Sequence, residues 1–295
     1  MHIPVLPQEV LEGLALQPGD IVADVTINGG GHAERMAKAV GASGVLIGID
    51  LDRNALSLAR ERLKEAPCNV ALIEGNFREM NRLLAGQGIV KVDKVLFDLG
   101  FSSNQLEHSG RGFSFERDEP LIMTLSADGA AEGRKNAAEV VNSMSERELA
   151  DILWNLGQER ASRKIAKAIV VARARRRILT TKELAAIVLK AVPRRGKTHP
   201  ATKTFQALRI FVNDELENLK GGLQEACGVL CKGGRIAVIS FHSLEDKIVK
   251  EIFKTWQKEG VGRAVTKKPI PPTRQEMAGN PRSRSAKLRI FEKNT

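Results

Sequence analysis

The chain has 295 residues, 42% of them hydrophobic, which is ample for a core, and no apolar run approaches the length of a membrane span. Three cysteines, Cys68, Cys227 and Cys231, are too few and badly spaced for a disulfide or zinc framework, and the N-terminus lacks a basic segment leading into an apolar one, so a cytoplasmic protein without a structural metal is expected. A formal net charge of +11 favours a polyanionic partner, whereas two Trp and no Tyr argue against a stacking platform for long single strands.

Met1 to Pro18 reads as a short amphipathic helix, Gln8 to Leu14, in a lid or edge element. Next, Ile21-Val22-Ala23-Asp24 forms an apolar strand that ends in a carboxylate and runs through Val25-Thr26-Ile27-Asn28 into Gly29-Gly30-Gly31-His32. Helical periodicity (Ala33, Met36, Ala37, Val40) follows directly. Strand, glycine turn and helix build a ligand crevice at the carboxyl end of a parallel sheet. The dinucleotide pattern GxGxxG is absent, because the third position falls on Glu34. The looser Gly29-x-Gly31-x-Ala33 suits a smaller nucleoside such as S-adenosylmethionine.

A second strand, Val45 to Asp50, places a carboxylate about 20 residues past the glycines, where it can accept from both ribose hydroxyls. Asp52 or Asn54 can cap the helix that follows, Ala55 to Leu63. Val70 to Ile73 is a third strand leading to Gly75-Asn76-Phe77, and Phe77 fits either an adenine face or ordinary core packing. Val92 to Asp98 is a fourth strand with a third terminal carboxylate. If strand order reverses beside the first strand, Asp98 lies at the reactive end of the same crevice.

The α/β rhythm then stops. Between Glu107 and about Lys203 only loop and helices are expected, with an irregular lead-in at 111–123 and capping boxes at Ser145…Glu148 and Thr180…Glu183. Between those boxes a basic helix carries Arg160, Arg163, Lys164, Lys167, Arg173, Arg175, Arg176 and Arg177. Five cations from Lys167 to Arg177 with no acid among them favour a phosphate contact surface. Thr204 to Leu219 reads as one long helix, and Gly233 to Ser240 as a fifth strand, with Ser243 capping the helix beyond it. His242 fits a functional or a structural role equally well, and 280–289 suits a final strand flanked by cations.

Together these stretches resemble the bacterial 16S rRNA cytosine-N4 methyltransferases, the RsmH (MraW) family, over essentially the whole chain. The resemblance rests on His2-Ile3-Pro4-Val5-Leu6, Gly29-Gly30-Gly31-His32, Gly48-Ile49-Asp50, Gly75-Asn76-Phe77, Asp98-Leu99-Gly100 and Arg111-Gly112-Phe113-Ser114-Phe115. Thr204-Phe205-Gln206-Ala207-Leu208-Arg209-Ile210, Ser240-Phe241-His242-Ser243-Leu244-Glu245-Asp246 and Asn280-Pro281-Arg282-Ser283-Arg284-Ser285-Ala286-Lys287 complete it.

The resemblance implies an α/β class I S-adenosylmethionine-dependent methyltransferase, a Rossmann-like sheet in 1–106 and 204–295 with an inserted helical substrate-recognition domain at 107–203. It implies methylation of the exocyclic N4 of a decoding-region cytidine in 16S rRNA of the small ribosomal subunit. The cofactor contacts it implies are Gly30, Gly31, His32, Asp50, Phe77, Asp98 and Gln105, with Asp98 also catalytic. RNA contacts are expected from Arg173, Arg175, Arg176 and Arg177. No membrane partner is expected, and the sequence leaves monomer and homodimer both open.

Asp118-Glu119-Pro120-Leu121-Ile122-Met123-Thr124-Leu125-Ser126 departs from the family's usual Asp-Gly-Pro-Leu-Asp-Met-Arg-Met-Asp, losing acids at Ile122 and Ser126 and an arginine at Thr124. Asn28, Asn104 and Gln158 also depart from it. Two rivals share these features: a diverged paralogue methylating another RNA base, and a cofactor-binding ribosome-assembly factor without activity.

Overall fold

A computed structural model describes residues 4–100, 109–125, 135–194, 196 and 199–294. By internal contacts the chain divides into two compact units, Met1–Ser102 with Leu216–Thr295, and Ser103–Glu215.

The first unit is built on a seven-stranded sheet. Its strands are β1 (Ile21–Asp24), β2 (Val45–Asp50), β3 (Asn69–Glu74), β4 (Val92–Asp98), β5 (Leu230–Ser240), β6 (Gly262–Ala264) and β7 (Lys287–Lys293). The order is β3-β2-β1-β4-β5-β7-β6, parallel except for β7, which runs antiparallel to β5 and β6. The reversal of strand order beside β1 is therefore present, and β1 pairs with both β2 and β4. This is the doubly wound sheet of the class I methyltransferase fold.

Both faces are covered, which is why β1 and β2 are apolar up to their terminal acids rather than alternating. Neighbouring residues point to opposite cores: Val22 and Leu46 lie on one face with Val10, Leu14, Met36 and Leu56, and Ala23 and Ile47 on the other with Met80, Leu84, Leu219, Val249 and Phe253. Helices α1 (Pro7–Leu14), α2 (Gly31–Val40) and α3 (Arg53–Arg62) thus cover the first face, and α4 (Met80–Ala85) covers the second. α1 is not a lid. Val10 and Leu14 are fully buried, and a Cβ on Gly13 would stand 2.2 Å from Ile290 Cδ1, so this helix is pressed onto the sheet.

The second unit is helical among its described residues, with α5 (Ala137–Ser143), α6 (Glu146–Asn155), α7 (Ser162–Arg173), α8 (Thr181–Ala191) and α9 (Ala201–Asn213). Capping boxes at Ser145/Glu148 and Thr180/Glu183 start α6 and α8, and a third, Asn136/Glu139, starts α5. The expected helix over 204–219 is two helices: Asp214 adopts a left-handed backbone (φ 51°) between α9 and α10 (Glu215–Val229). Asp is one of the few residues that reach this region at modest cost. α9, expected in the sheet-bearing domain, packs instead on α5, α6 and α8, so the helical unit extends to Glu215 rather than to 203. Ring contacts hold the lead-in to it, with Phe115 centred 5.0 Å from Phe205 and 4.7 Å from His199.

Gly112 and Gly110 separate two costs. Both have left-handed backbones (φ 75° and 65°), but a Cβ on Gly112 would sit 2.3 Å from the Pro120 carbonyl oxygen while one on Gly110 meets nothing within 4 Å. Gly110→Ala should destabilise the helical unit by about 1–2 kcal/mol, and Gly112→Ala by about 1–3 kcal/mol more. Hydrogen exchange of α6 and α8 checks this; equal protection loss in the two variants would contradict it.

Candidate active site

Three carboxylates come together where β1, β2 and β4 end. Asp24 and Asp98 are buried (1% and 6% exposed), and Asp50 is half-buried. The loop after β1 is fastened to both neighbouring strands. Thr26 Oγ1 accepts from the Asp98 amide at 2.6 Å, and Asp50 Oδ2 accepts from the Asn28 amide at 2.9 Å. Asp50 Oδ1 accepts from the Asp52 amide at 2.9 Å, while Asp52 itself caps α3 through the Asn54 amide. Of the two expected caps the structure uses Asp52, and Asp50 closes the crevice on the β2 side.

Asn28 explains its own departure from the family pattern. Its backbone is left-handed (φ 49°), a conformation that glycine or asparagine reaches most readily, and its side-chain amide donates to the Thr26 carbonyl at 2.9 Å. Gly30 follows with φ 76° as the N-cap of α2, and a Cβ there would press within 3.3 Å of Ala59 Cα. Gly31 faces Arg62 and Pro4 at 3.2 and 3.4 Å. These two glycines therefore serve close packing of α2 on α3, whereas Gly29 faces open space, with nothing within 4 Å of its Cβ position.

His32, on the first turn of α2, is buried with Nε2 3.7 Å from Asp98 Oδ2. Asp98 Oδ1 is buried without a hydrogen-bond partner among the described residues. Beyond Asp98, Gly100 lies against the Phe241 ring, where a Cβ would come within 2.6 Å. Phe77 packs edge-on to Phe97 (centroids 5.5 Å) and over Gly222, so its described contacts are those of a core residue. Gln105 lies outside the described residues, as do Asn104, Ser126 and Arg195.

The electrostatics follow from burial. Burial, then the neighbouring Asp98 charge, drives Asp24 well above the usual carboxylate range. Burial lifts Asp50 to about 6 against the backbone donors of Asp52, Asn28 and Leu51, and lifts Asp98 to about 7, with Glu245 adding repulsion. Asp24 is the member that sequence reasoning passed over; its signal was the same as that of Asp50 and Asp98, an acid ending an apolar strand. His242 resolves to a structural role in its described contacts: its Nδ1 accepts from the Glu245 amide, and Glu245 accepts from the His242 amide, so His242 rather than Ser243 caps α11 (Ser243–Lys258).

In the helical unit, the four arginines do not form one helix face. α7 ends at Arg173, and Arg175, Arg176 and Arg177 lie beyond it, all exposed. Arg173 donates to the Val141 carbonyl at 2.8 Å, and Arg176 pairs with Glu183 at 3.3 Å. Of the altered lead-in, Thr124 is buried and its carbonyl accepts from Arg111, while Ile122 bonds through its backbone to Pro120 and Ala137. No helix among the described residues is long and apolar enough to cross a membrane.

The MraW methylase family model matches residues 1–294. The chain belongs to this family. A ribosomal RNA small subunit methyltransferase H of Persephonella marina is 46% identical over 295 residues, covering 99% of both chains. Its counterpart in Coprothermobacter proteolyticus is 45% identical over 292 residues, covering 99% of this chain and 96% of the relative. Among solved structures, an rRNA methylase from Streptococcus thermophilus overlays with a TM-score of 0.46 at 11% identity, covering 97% of this chain and 95% of that one. Membership of the methylase family agrees with the resemblance read from the motifs, and with a crevice at the topological switch point of the sheet.

The raised carboxyls make a signed prediction. A group whose folded pKa exceeds its unfolded value holds more protons when folded, so stability falls as pH rises between the two. For Asp98 that window runs from its ordinary 3.8 to about 7, and for Asp50 from 3.8 to about 6. Asp98→Asn removes the penalty of a buried charge. In the ligand-free protein it should raise the melting temperature at pH 8 and change it little at pH 4, just above the ordinary carboxyl value. Equal shifts at both pH values would show that Asp98 ionises without hindrance.

Proposed function

We infer that the crevice at the ends of β1, β2 and β4 holds S-adenosylmethionine and that the protein methylates the exocyclic N4 of a decoding-region cytidine in small-subunit rRNA. The observation that carries this reading is the convergence of Asp24, Asp50 and Asp98 on one crevice beside an open Gly29. The residues present fit a cationic nucleoside. Oδ1 of Asp98, buried and without a hydrogen-bond partner among the described residues, suits a positive group or a donor, and the two Asp50 oxygens keep acceptor capacity beyond their backbone bonds. Gly29 lets the ligand approach the backbone closely.

When bound, S-adenosylmethionine supplies an electrophilic methyl group whose leaving group is a neutral thioether. Cytosine N4 is a poor nucleophile, because its lone pair is delocalised into the ring. The protein must therefore hold the amino group in line and accept its hydrogen bond as the nitrogen becomes tetrahedral. Asp98 suits that task. A carboxyl near 7 is ionised in part at neutral pH and can take the proton that N4 loses. Gly30, Gly31 and His32 shape the α2 end of the crevice, Phe77 and Gln105 complete the cofactor set that the family pattern implies, and no metal is required.

The acceptor is the small ribosomal subunit, in keeping with the names of relatives at about 45% identity, ribosomal RNA small subunit methyltransferases H, and with a net charge of +11. The helical unit is the RNA-contacting part, since it carries exposed Arg175, Arg176 and Arg177. A protein acting on ribosomal subunits works in the cytoplasm. Monomer and homodimer serve this chemistry equally.

Asp50→Ala removes a charge-assisted acceptor and should weaken S-adenosylmethionine binding roughly 10- to 150-fold by calorimetry. Asp98→Asn should retain binding better than turnover. Methyl transfer to purified small subunits, with the modified base located by mass spectrometry, tests the function itself. A methyl group on another base would support the paralogue reading, and cofactor binding without transfer would support an assembly factor.

A further inference from the structure

The helical unit contains a cavity of about 480 Å³ lined by Lys135, Glu139, Asn142, Ser143, Arg173 and Arg177. Three cations face a single acid, and that acid is already engaged: the Glu139 carboxylate accepts from the Asn136 amide at 2.8 Å in the capping box of α5. The cavity therefore has a surplus of positive charge.

Its walls are fixed rather than merely basic. Asn142 Nδ2 donates to the carbonyls of Ala138 and Ile178, both at 2.7 Å, and its Oδ1 accepts from the Ile178 amide at 3.0 Å. These bonds clamp buried Ile178, and so the adjoining Arg177, to the end of α5. Arg173 is anchored to the same helix through the Val141 carbonyl, and Lys135 Nζ donates to Ser143 Oγ at 3.1 Å. A guanidinium has five donors, so a single carbonyl leaves most of those on Arg173 available. The described contacts of Arg177 include no acid, in contrast to Arg176 with its Glu183 partner.

We propose that this cavity is an RNA phosphate subsite in which Arg177, Arg173 and Lys135 clasp one backbone phosphodiester. The proposal rests on the reading of the protein as an RNA methyltransferase and makes it specific. The anchored guanidinium of Arg173 can meet phosphate oxygens in a bidentate way, and Arg177, placed beside it by the clamped backbone of Ile178, supplies a second fork. Arg176, paired with Glu183, lies outside this clasp. The cavity positions the RNA and carries no sequence preference.

The test is filter binding of in vitro-transcribed small-subunit rRNA by the full chain across a salt series. Lys135→Gln and Arg177→Gln should each weaken binding about ten-fold or more. Together they should lower the log–log salt slope by about 0.7–0.9, the value for one phosphate. Arg177→Lys should keep the slope yet lose affinity, because charge remains and the fork does not. Unchanged S-adenosylmethionine affinity, with an unchanged melting profile, verifies that the variants fold. If the double variant binds like the natural chain, or loses about twice one phosphate's slope, the cavity is not a single-phosphate clasp. If the natural chain itself binds this RNA without salt dependence, the RNA reading falls, and the subsite with it.

Discussion

Three acids share one poorly solvated crevice, and the protein keeps them there at a cost. Burial penalises each charge, and Asp24 also feels those of Asp98 and Asp50, so that Asp24, Asp50 and Asp98 all stand above their ordinary protonation range. Nothing in the sheet itself requires acids at these positions, since apolar residues would pack there more favourably. The arrangement makes sense as a complement to a cation brought from outside. Strand order supplies the convergence: β4 returns beside β1, so the acids of β1, β2 and β4 end on adjacent strands.

Much of the remaining local structure serves to hold that crevice open at a fixed width. Thr26 fastens the turn to β4, and Asn28 fastens it to β2. Gly30 and Gly31 let α2 sit close against α3, and Gly100 lets the chain beyond β4 turn against Phe241. On the far side of the sheet Asp246, in the first turn of α11, bonds Arg289 at 2.7 Å and Lys287 at 3.1 Å, tying that helix to β7. Phe253, Trp256 and Phe291 fill the space beneath, with ring centroids 5.1 to 5.7 Å apart.

The first four parallel strands were legible because β1 to β4 are each a short, largely apolar run closed by an acid, a pattern that local sequence alone carries. Capping boxes were legible for the same reason. What escaped were features decided by tertiary contact. Whether α9 joins the sheet or the helical unit depends on which helices cover its apolar face, and helical period does not encode a partner. The break at Asp214 follows from a left-handed backbone that Asp permits but does not demand. β6, with three residues, is too short for alternation to show, and Pro281–Ser285 forms a tight 3₁₀ turn where a strand was expected to begin. Of the site, Asp50 and Asp98 were visible as strand-end acids, whereas the coupling to Asp24 needed the three-dimensional neighbours. His242 was ambiguous because an imidazole nitrogen capping a helix leaves no signature apart from the Glu245 three residues on.

The placement of β7 has a bearing on how the molecule is made. Within the sheet β7 lies between β5 and β6, yet it follows both in the chain. Until Lys287–Lys293 is available, β5 presents an open edge and β6 has no hydrogen-bonded neighbour. Synthesis thus delivers every helix and six strands before the element that joins the last two. An incomplete chain exposes an unpaired strand edge, the kind of surface that invites pairing with another molecule. Sheet closure is therefore a late step, and the helical unit, a continuous stretch completed well upstream, is free to fold ahead of it.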